Sequence, residues 1–310
     1  MPGRFFLRKR SERMQDKANQ RDSVAILGLG KVGTALGYLL KSAGYRIVAV
    51  AGRSRENLGK GAIYTGGRAF TDLAEAASLA ECILITTSDD AIASVCEEIS
   101  QKGAITAGKK VIHVSGVGGL ELLVSASRLG AHIASIHPLQ SFAHVDGAIK
   151  SIPGSTFSVT AEKEIRGWAL QMVIDLGGRP FLLANEDKPL YHAAACLASN
   201  YLTTLMHNVE EIYQSLGMER QDALTAFWPL VRGTLNNIET KGTVQALTGP
   251  ISRGDAGTVE KHLNAFREKL PSLLPLYCVM GGKTVELGLK KTTLKLDKAE
   301  MIMNLLKRSF

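Results

Sequence analysis

From Ser23 onward, short compact apolar runs alternate with amphipathic stretches, the pattern that builds a parallel sheet covered by helices. The apolar runs are Val24 to Leu27, Ile47 to Ala51, Cys82 to Thr86, Val111 to Val114 and His132 to Ile136. Such unbroken runs fit strands buried on both faces. Helices are predicted between them at Val32 to Ala43, Leu73 to Ala80, Ala91 to Gln101 and Leu120 to Arg128, with Gly44 placed to close the first. A further strand, helix and strand follow at Thr156 to Val159, Glu162 to Asp175 and Arg179 to Leu183.

After residue 185 the pattern changes. Asp187 is a good N-cap and Pro189 is tolerated in a first turn, so one long helix is expected to run towards Leu216, ahead of Gly217. Helical patterns continue at Gln221 to Asn236, Gly257 to Leu270, Ser272 to Met280 and Asp297 to Lys307, with no convincing strand. The expected class is therefore α/β, a doubly wound Rossmann domain over residues 22–185, followed by an all-helical substrate and dimerisation domain over residues 186–310.

Charge changes the picture at one end. The chain has 310 residues and a net charge of +8, but Arg4, Arg8, Lys9, Arg10, Arg13, Lys17 and Arg21 face only Glu12 and Asp16 in residues 1–21. That segment reads as a basic polar tail, a solvated extension in the first place, with a transit-like or nucleic-acid-binding arm as the alternative. The remaining body is only mildly basic, so nucleic acid is not an expected partner. The cysteines, Cys82, Cys96, Cys196 and Cys278, show no CxxC pairing, and no run of about 18 apolar residues could span a bilayer. A reduced, cytoplasmic protein without a membrane segment is expected.

The firmest motif is Gly28-Leu29-Gly30-Lys31-Val32-Gly33, a GxGxxG turn directly after an apolar strand and at the head of a helix. Gly28 suits the tight turn, Gly30 admits a pyrophosphate close to the backbone, and Gly33 allows close helix-to-strand packing. The free N–H groups and positive dipole end of the helix would meet the phosphates. Proteins that bind NAD usually carry an acidic residue at the end of the second strand, for the ribose 2′-hydroxyl. Here the strand ends Ala51-Gly52-Arg53-Ser54-Arg55, two guanidinium groups and a hydroxyl where a 2′-phosphate would lie. NADP is the expected cofactor. Thr87 and Ser88, after the third predicted strand, either line the same site or simply cap the helix that follows.

Candidate chemistry gathers at two further strand ends, His113-Val114-Ser115-Gly116 and Ser135-Ile136-His137-Pro138. Carboxyl ends of a doubly wound sheet converge on the cofactor crevice, which would bring Ser115 and His137 towards the nicotinamide. With an ordinary pKa near neutrality, His137 could exchange a proton as hydride moves; the plainer reading is a loop histidine bonding backbone. On the long helix, Lys188, His192, Cys196 and Asn200 recur every four residues and share a face, so His192 and Asn200 could orient substrate, or Asn200 could pair with backbone. Arg253, in the loop Leu247-Thr248-Gly249-Pro250-Ile251-Ser252-Arg253-Gly254-Asp255, is free to meet an anion unless it only builds a turn. No metal site is expected, because no second spaced pair joins His192 and Cys196.

Taken together, GLGKVG (28–33), TTSDDAI (86–92), HPLQSF (137–142), YHAAACLASNYL (191–202) and LTGPISRGD (247–255) resemble the family of Rossmann-like proteins with a DUF2520 domain, over about residues 22–290. The resemblance implies an NADP-dependent oxidoreductase, akin to coenzyme-F420-dependent NADP oxidoreductases, pyrroline-5-carboxylate reductases and 6-phosphogluconate dehydrogenases. It also implies a C-terminal domain like that of the last group, pairing subunits into a homodimer. Ser115 and His137-Pro138 are similar to elements of prephenate dehydrogenases, where the histidine engages the reacting hydroxyl. Hydroxyacid dehydrogenases place a lysine four residues before an asparagine, whereas Cys196 stands four before Asn200 here. The expected function is hydride transfer to or from a small polar, anionic molecule, with a non-catalytic NADP-binding sensor or regulatory module as the alternative.

Overall fold

The computed structural model describes residues 21–309; residues 1–20, which hold nearly all of the expected basic tail, lie outside them. Eight strands form one sheet: β1 Ser23–Leu27, β2 Arg46–Ala51, β3 Arg68–Phe70, β4 Cys82–Ile85, β5 Lys110–His113, β6 His132–Pro138, β7 Thr156–Ala161 and β8 Arg179–Leu182. Their order is β3-β2-β1-β4-β5-β6-β7-β8. All neighbours are parallel except β6 and β7, which run antiparallel. Strand order reverses between β1 and β4, and such a switch point opens a crevice beyond the carboxyl ends of the strands.

The unbroken apolar runs follow from burial on both faces. In β1, Val24 and Ile26 enter the core on one side with Leu36, Leu40 and Phe157, while Ala25 and Leu27 enter the other with Ile92 and Cys96. Helices cover both faces: α1 Lys31–Ser42, α2 Arg55–Thr65, α3 Leu73–Ser78, α4 Asp89–Gln101, α5 Val124–Ser127, α6 Val145–Ser151 and α7 Arg166–Asp175. Gly44 takes φ +90° just after α1, closing it as expected. Arg21 grips the carboxylate of Asp175 with both guanidinium nitrogens and lies over the Tyr45 ring.

The expected long helix is two. The chain forms α8 Lys188–Ala198 and α9 Asn200–Ser215, parted at Ser199, where φ and ψ are −119° and −69°. Serine and asparagine side chains compete for local backbone groups and so favour such breaks. Asp187 stands at the cap position of α8 without a side-chain cap bond, the entry being the short 3₁₀ turn Asn185–Asp187.

Contacts divide the chain into two compact units, one ending at Ser199 and one beginning at Asn200, so α8 belongs with the sheet. The second unit is helical: α9, α10 Arg220–Ala246, α11 Pro250–Arg253, α12 Ala256–Lys269, α13 Leu274–Lys290 and α14 Leu296–Arg308. Its core holds Ile251, Val259, Leu263, Val285, Ile302 and Leu306. Asp255 caps α12 by accepting from the Thr258 N–H at 3.0 Å. Among the described residues all four cysteines are free, and no helix is long and apolar enough to cross a membrane.

Candidate functional site

The glycine turn leaves β1 with Gly28 at φ +106°, a conformation that costs glycine little. A Cβ there would stand 2.8 Å from the Thr86 carbonyl carbon and the Thr87 nitrogen, so the turn is pressed against the end of β4. At Gly33 a Cβ would collide with the Gly28 carbonyl and the Thr86 hydroxyl, which itself donates to the Gly28 oxygen at 2.5 Å. Gly30, the N-cap of α1, is different: nothing lies within 4 Å of its Cβ position, and no side chain caps the helix. Two of these glycines are therefore required by the protein itself, while the third leaves open space before a helix N-terminus.

That space belongs to a cavity of about 680 Å³ at the switch point, lined by Gly28, Leu29, Gly30, Arg53, Thr87 and Ser88 among others. An adjoining one of about 530 Å³ is lined by Lys31, Val32, Tyr64, Thr87, Ser88 and Phe142, the last from the HPLQSF segment. Ser88 stands at the N-cap position of α4 without a side-chain cap bond, and the buried Thr87 hydroxyl has no partner among the described residues. Capping thus does not account for these two hydroxyls. A buried, unsatisfied hydroxyl costs of order 1–3 kcal/mol unless something satisfies it. Arg53 is exposed on the first cavity and makes no ion pair among the described residues. Ser54 lines the same cavity and also caps α2, accepting from the Asn57 N–H at 3.2 Å, whereas Arg55 opens that helix without lining either cavity. Open backbone at Gly30, an uncapped helix end, an orphaned Thr87 hydroxyl and an unpaired Arg53 fit a phosphorylated dinucleotide.

A second constellation forms where β5 and β6 end and α8 begins. Lys188 is fully buried, and its ammonium donates to the Ser115 carbonyl at 3.0 Å and the Ser135 hydroxyl at 2.9 Å. Burial lowers its pKa to about 8, against the opposing pull of Glu121 and Asp89. His113 is buried between the Gly119 carbonyl, 3.0 Å from Nε2, and the Ser115 N–H, 3.1 Å from Nδ1. Because the amide must donate, Nδ1 accepts and Nε2 carries the proton. Burial, and then the Lys188 ammonium, push this imidazole down to about 4. The Ser115 hydroxyl accepts from the Gly118 N–H at 2.9 Å, so this residue, expected near the nicotinamide, builds a buried turn.

His137, at the end of β6, meets the Tyr191 hydroxyl through Nδ1 at 2.9 Å. Its ring stands edge-on to Tyr191 and to His192, with centroids 5.6 and 6.0 Å away. Gly116 sits beneath both imidazoles: a Cβ there would be 2.8 Å from His137 Nε2 and would crowd His192 as well. Burial, followed by the Lys188 ammonium, lowers His137 to about 4 rather than leaving it near neutrality. It is a neutral imidazole at physiological pH. Cys196 lies 3.9 Å from His192 Nδ1, one turn along α8.

The structure thus gathers Ser115, His137 and His192, and adds two residues the sequence did not assign, Tyr191 and Lys188. Lys188 was visible on the shared helical face, but nothing local told of its burial. Asn200 and Arg253 fall in the second unit, Asn200 exposed at the start of α9 and Arg253 exposed at the end of α11.

Residues 9–138 match the model of the Rossmann-like domain, and residues 155–284 match that of the domain of unknown function DUF2520. Among solved structures the fold is similar to a "putative NADP oxidoreductase" from Bacteroides fragilis, at 20% identity and TM-score 0.69 over 86% of this chain and 98% of that one. Protein TM1727 from Thermotoga maritima is similar at 21% identity and TM-score 0.68, over 87% and 99% of the two chains. A pyrroline carboxylate reductase from Plasmodium falciparum, solved with NADP bound, matches at 13% identity and TM-score 0.56 over 92% and 98%. No curated protein matches. At these identities the likeness speaks to the fold.

Proposed function

We propose that this chain, which joins a Rossmann-like domain to a DUF2520 domain, is an NADP-dependent oxidoreductase transferring hydride to or from a small polar, anionic substrate. The observation that carries the reading is the cavity at the β1–β4 switch point, where Gly30 leaves room before an uncapped helix and Thr87 keeps a buried hydroxyl with no partner among the described residues. Bound there, the nicotinamide cofactor supplies the hydride acceptor or donor. Gly28 to Gly33 would hold its pyrophosphate, Thr87 and Ser88 would line its path, and Arg53 would meet the 2′-phosphate. The printed names of the Bacteroides and Plasmodium neighbours, an NADP oxidoreductase and a reductase with NADP bound, support the same reading.

For the substrate, His137 offers a neutral imidazole at a strand end beside His192. The buried Lys188 ammonium makes this end of the sheet electropositive, which favours an anionic molecule. Asn200 and Arg253 are further candidates for substrate contact. A homodimer through the helical domain belongs to the same proposal, supported by Trp228, Leu230 and Leu235 of α10, apolar yet exposed.

The test is NADPH consumption with a panel of small 2-oxo acids, other carbonyl compounds and cyclic imines, comparing the wild type with His137→Gln. Turnover that falls at least about a hundredfold in the variant, with NADPH affinity retained, is expected from loss of an acid–base or hydrogen-bonding group. Tight NADPH binding without turnover on any compound would instead make the chain an NADP-binding sensor or regulatory module.

A further inference from the structure

Gly30, Arg53 and Ser88 line one cavity. A dinucleotide with its pyrophosphate on the glycine turn and its 2′-phosphate on Arg53 therefore keeps its adenine in that cavity too, because the 2′-phosphate sits on the ribose that carries the base. Apolar walls are there to receive it: Leu58 of α2, Leu73 of α3, and Ala91 and Val95 of α4. Leu58 and Val95 are also buried members of the two cores, so these walls are held from behind. A flat aromatic base is the part of the ligand that such a slot suits.

The polar end of the slot lies on α4. Ala91, Ser94, Val95 and Glu98 recur at intervals of three and four residues and all line the cavity, so one face of the helix runs along it. Ser94 directs its hydroxyl proton at the Ala91 carbonyl, at 3.0 Å. Glu98 is a turn beyond, about 15 Å further along the helix axis than Ser88. That leaves room between the glycine turn and Glu98 for a ribose and a base. Among the described residues Glu98 is the one carboxylate on the lining of this cavity.

Its orientation is held by an ion pair that joins two helices. Lys102 donates to Glu98 Oε1 at 2.8 Å and to Asp72 Oδ2 at 3.2 Å. The other Asp72 oxygen caps α3, accepting from the Ala74 and Glu75 N–H groups at 2.7 and 3.1 Å. Glu98 Oε2 has no partner among the described residues. An ionised carboxylate accepts hydrogen bonds and offers none.

We infer that Glu98 selects the base of the cofactor: its free carboxylate oxygen accepts from the 6-amino group of adenine and disfavours a purine that carries a carbonyl oxygen there. The amino group brings protons to Oε2, whereas a carbonyl oxygen would face it lone pair to lone pair. Lys102 is a positioning residue, holding the carboxylate towards the slot through Oε1 and leaving Oε2 open. The inference rests on the NADP reading for the ligand and on the cavity lining for the residue.

Calorimetric titration with NADPH and with its hypoxanthine analogue tests it without any turnover. The analogue keeps every phosphate and the nicotinamide, and carries a carbonyl oxygen in place of the 6-amino group. The wild type is expected to bind NADPH at least about tenfold tighter than the analogue. Glu98→Gln, whose amide both donates and accepts, is expected to bring the two affinities together with the thermal midpoint unchanged. Glu98→Ala is expected to weaken NADPH binding about tenfold. Equal binding of the two nucleotides by the wild type, or the wild-type ratio retained in Glu98→Gln, overturns the inference while leaving the NADP reading in place. If the wild type binds neither nucleotide, the NADP reading fails and the inference fails with it.

Discussion

The glycine turn and the histidine cluster stand at the same carboxyl edge of one sheet, yet they are built in opposite ways. The turn is a local object: six consecutive residues, two of which must be glycine because the end of β4 leaves no room for a Cβ. The cluster is assembled from β5, β6 and α8, with Tyr191 reaching His137 across 54 residues of sequence and Lys188 reaching Ser115 across 73. A backbone-made site is spelled in the order of its residues, whereas a side-chain-made site is spelled in tertiary packing. The two should therefore fail differently when perturbed.

The sharpest break is within the turn itself. Gly33→Val drives two methyl groups against the Gly28 carbonyl and Thr86, and is expected to cost about 3 kcal/mol or more, or to prevent folding. Gly30→Val meets open space, so its thermal midpoint should match the wild type while NADP affinity drops about a hundredfold, close to 3 kcal/mol of binding. If both variants melted alike, the division of labour among these glycines would be wrong.

The cluster should show itself through pH. His113 and His137 both fall to about 4 in the folded protein from an ordinary 6.5. Between those values the unfolded chain binds protons that the folded one refuses, so their stabilisation is complete above 6.5 and is lost as pH falls through 4. Each contributes up to about 3 kcal/mol, less for His137 because it is not fully enclosed. Urea unfolding from pH 7 to pH 4 should show this loss, and His113→Asn should flatten the slope by about half. An unchanged slope in that variant would remove His113 from the account.

Smaller effects separate recognition from architecture at the end of β2. Arg53→Ala should weaken NADP binding by about tenfold to fiftyfold, as for loss of a charge-assisted contact, and leave NAD binding alone. Ser54→Ala should cost only about 1 kcal/mol of stability through the lost cap of α2. An equal loss of NADP and NAD affinity in Arg53→Ala would mean that this guanidinium meets something other than the 2′-phosphate.

The same contrast explains what the sequence made legible. Strands β1, β2, β4, β5 and β6 lay open as apolar runs because each is buried on both faces. The three-residue β3 and helix α2 were not assigned; β3 is too short for a period, and α2 buries only Leu58, Gly61 and Thr65. The break at Ser199 was hidden because a helical hydrophobic pattern continues across it. Gly28 to Gly33 and Arg53 were readable because backbone sterics and an absent carboxylate are local facts. His137 was singled out from its strand end, but its neutrality was not, since that comes from burial and from the Lys188 ammonium. Tyr191 left no local signal at all, being one aromatic residue on a helix whose bond forms only in the fold.

Calorimetric titration of the purified protein with NADPH and with NADH tests the central claim most directly. Saturable binding of one NADPH per chain, at least about tenfold tighter than NADH, is the result predicted from the glycine turn and Arg53. Equal or tighter binding of NADH, or no saturable binding of either, would contradict it.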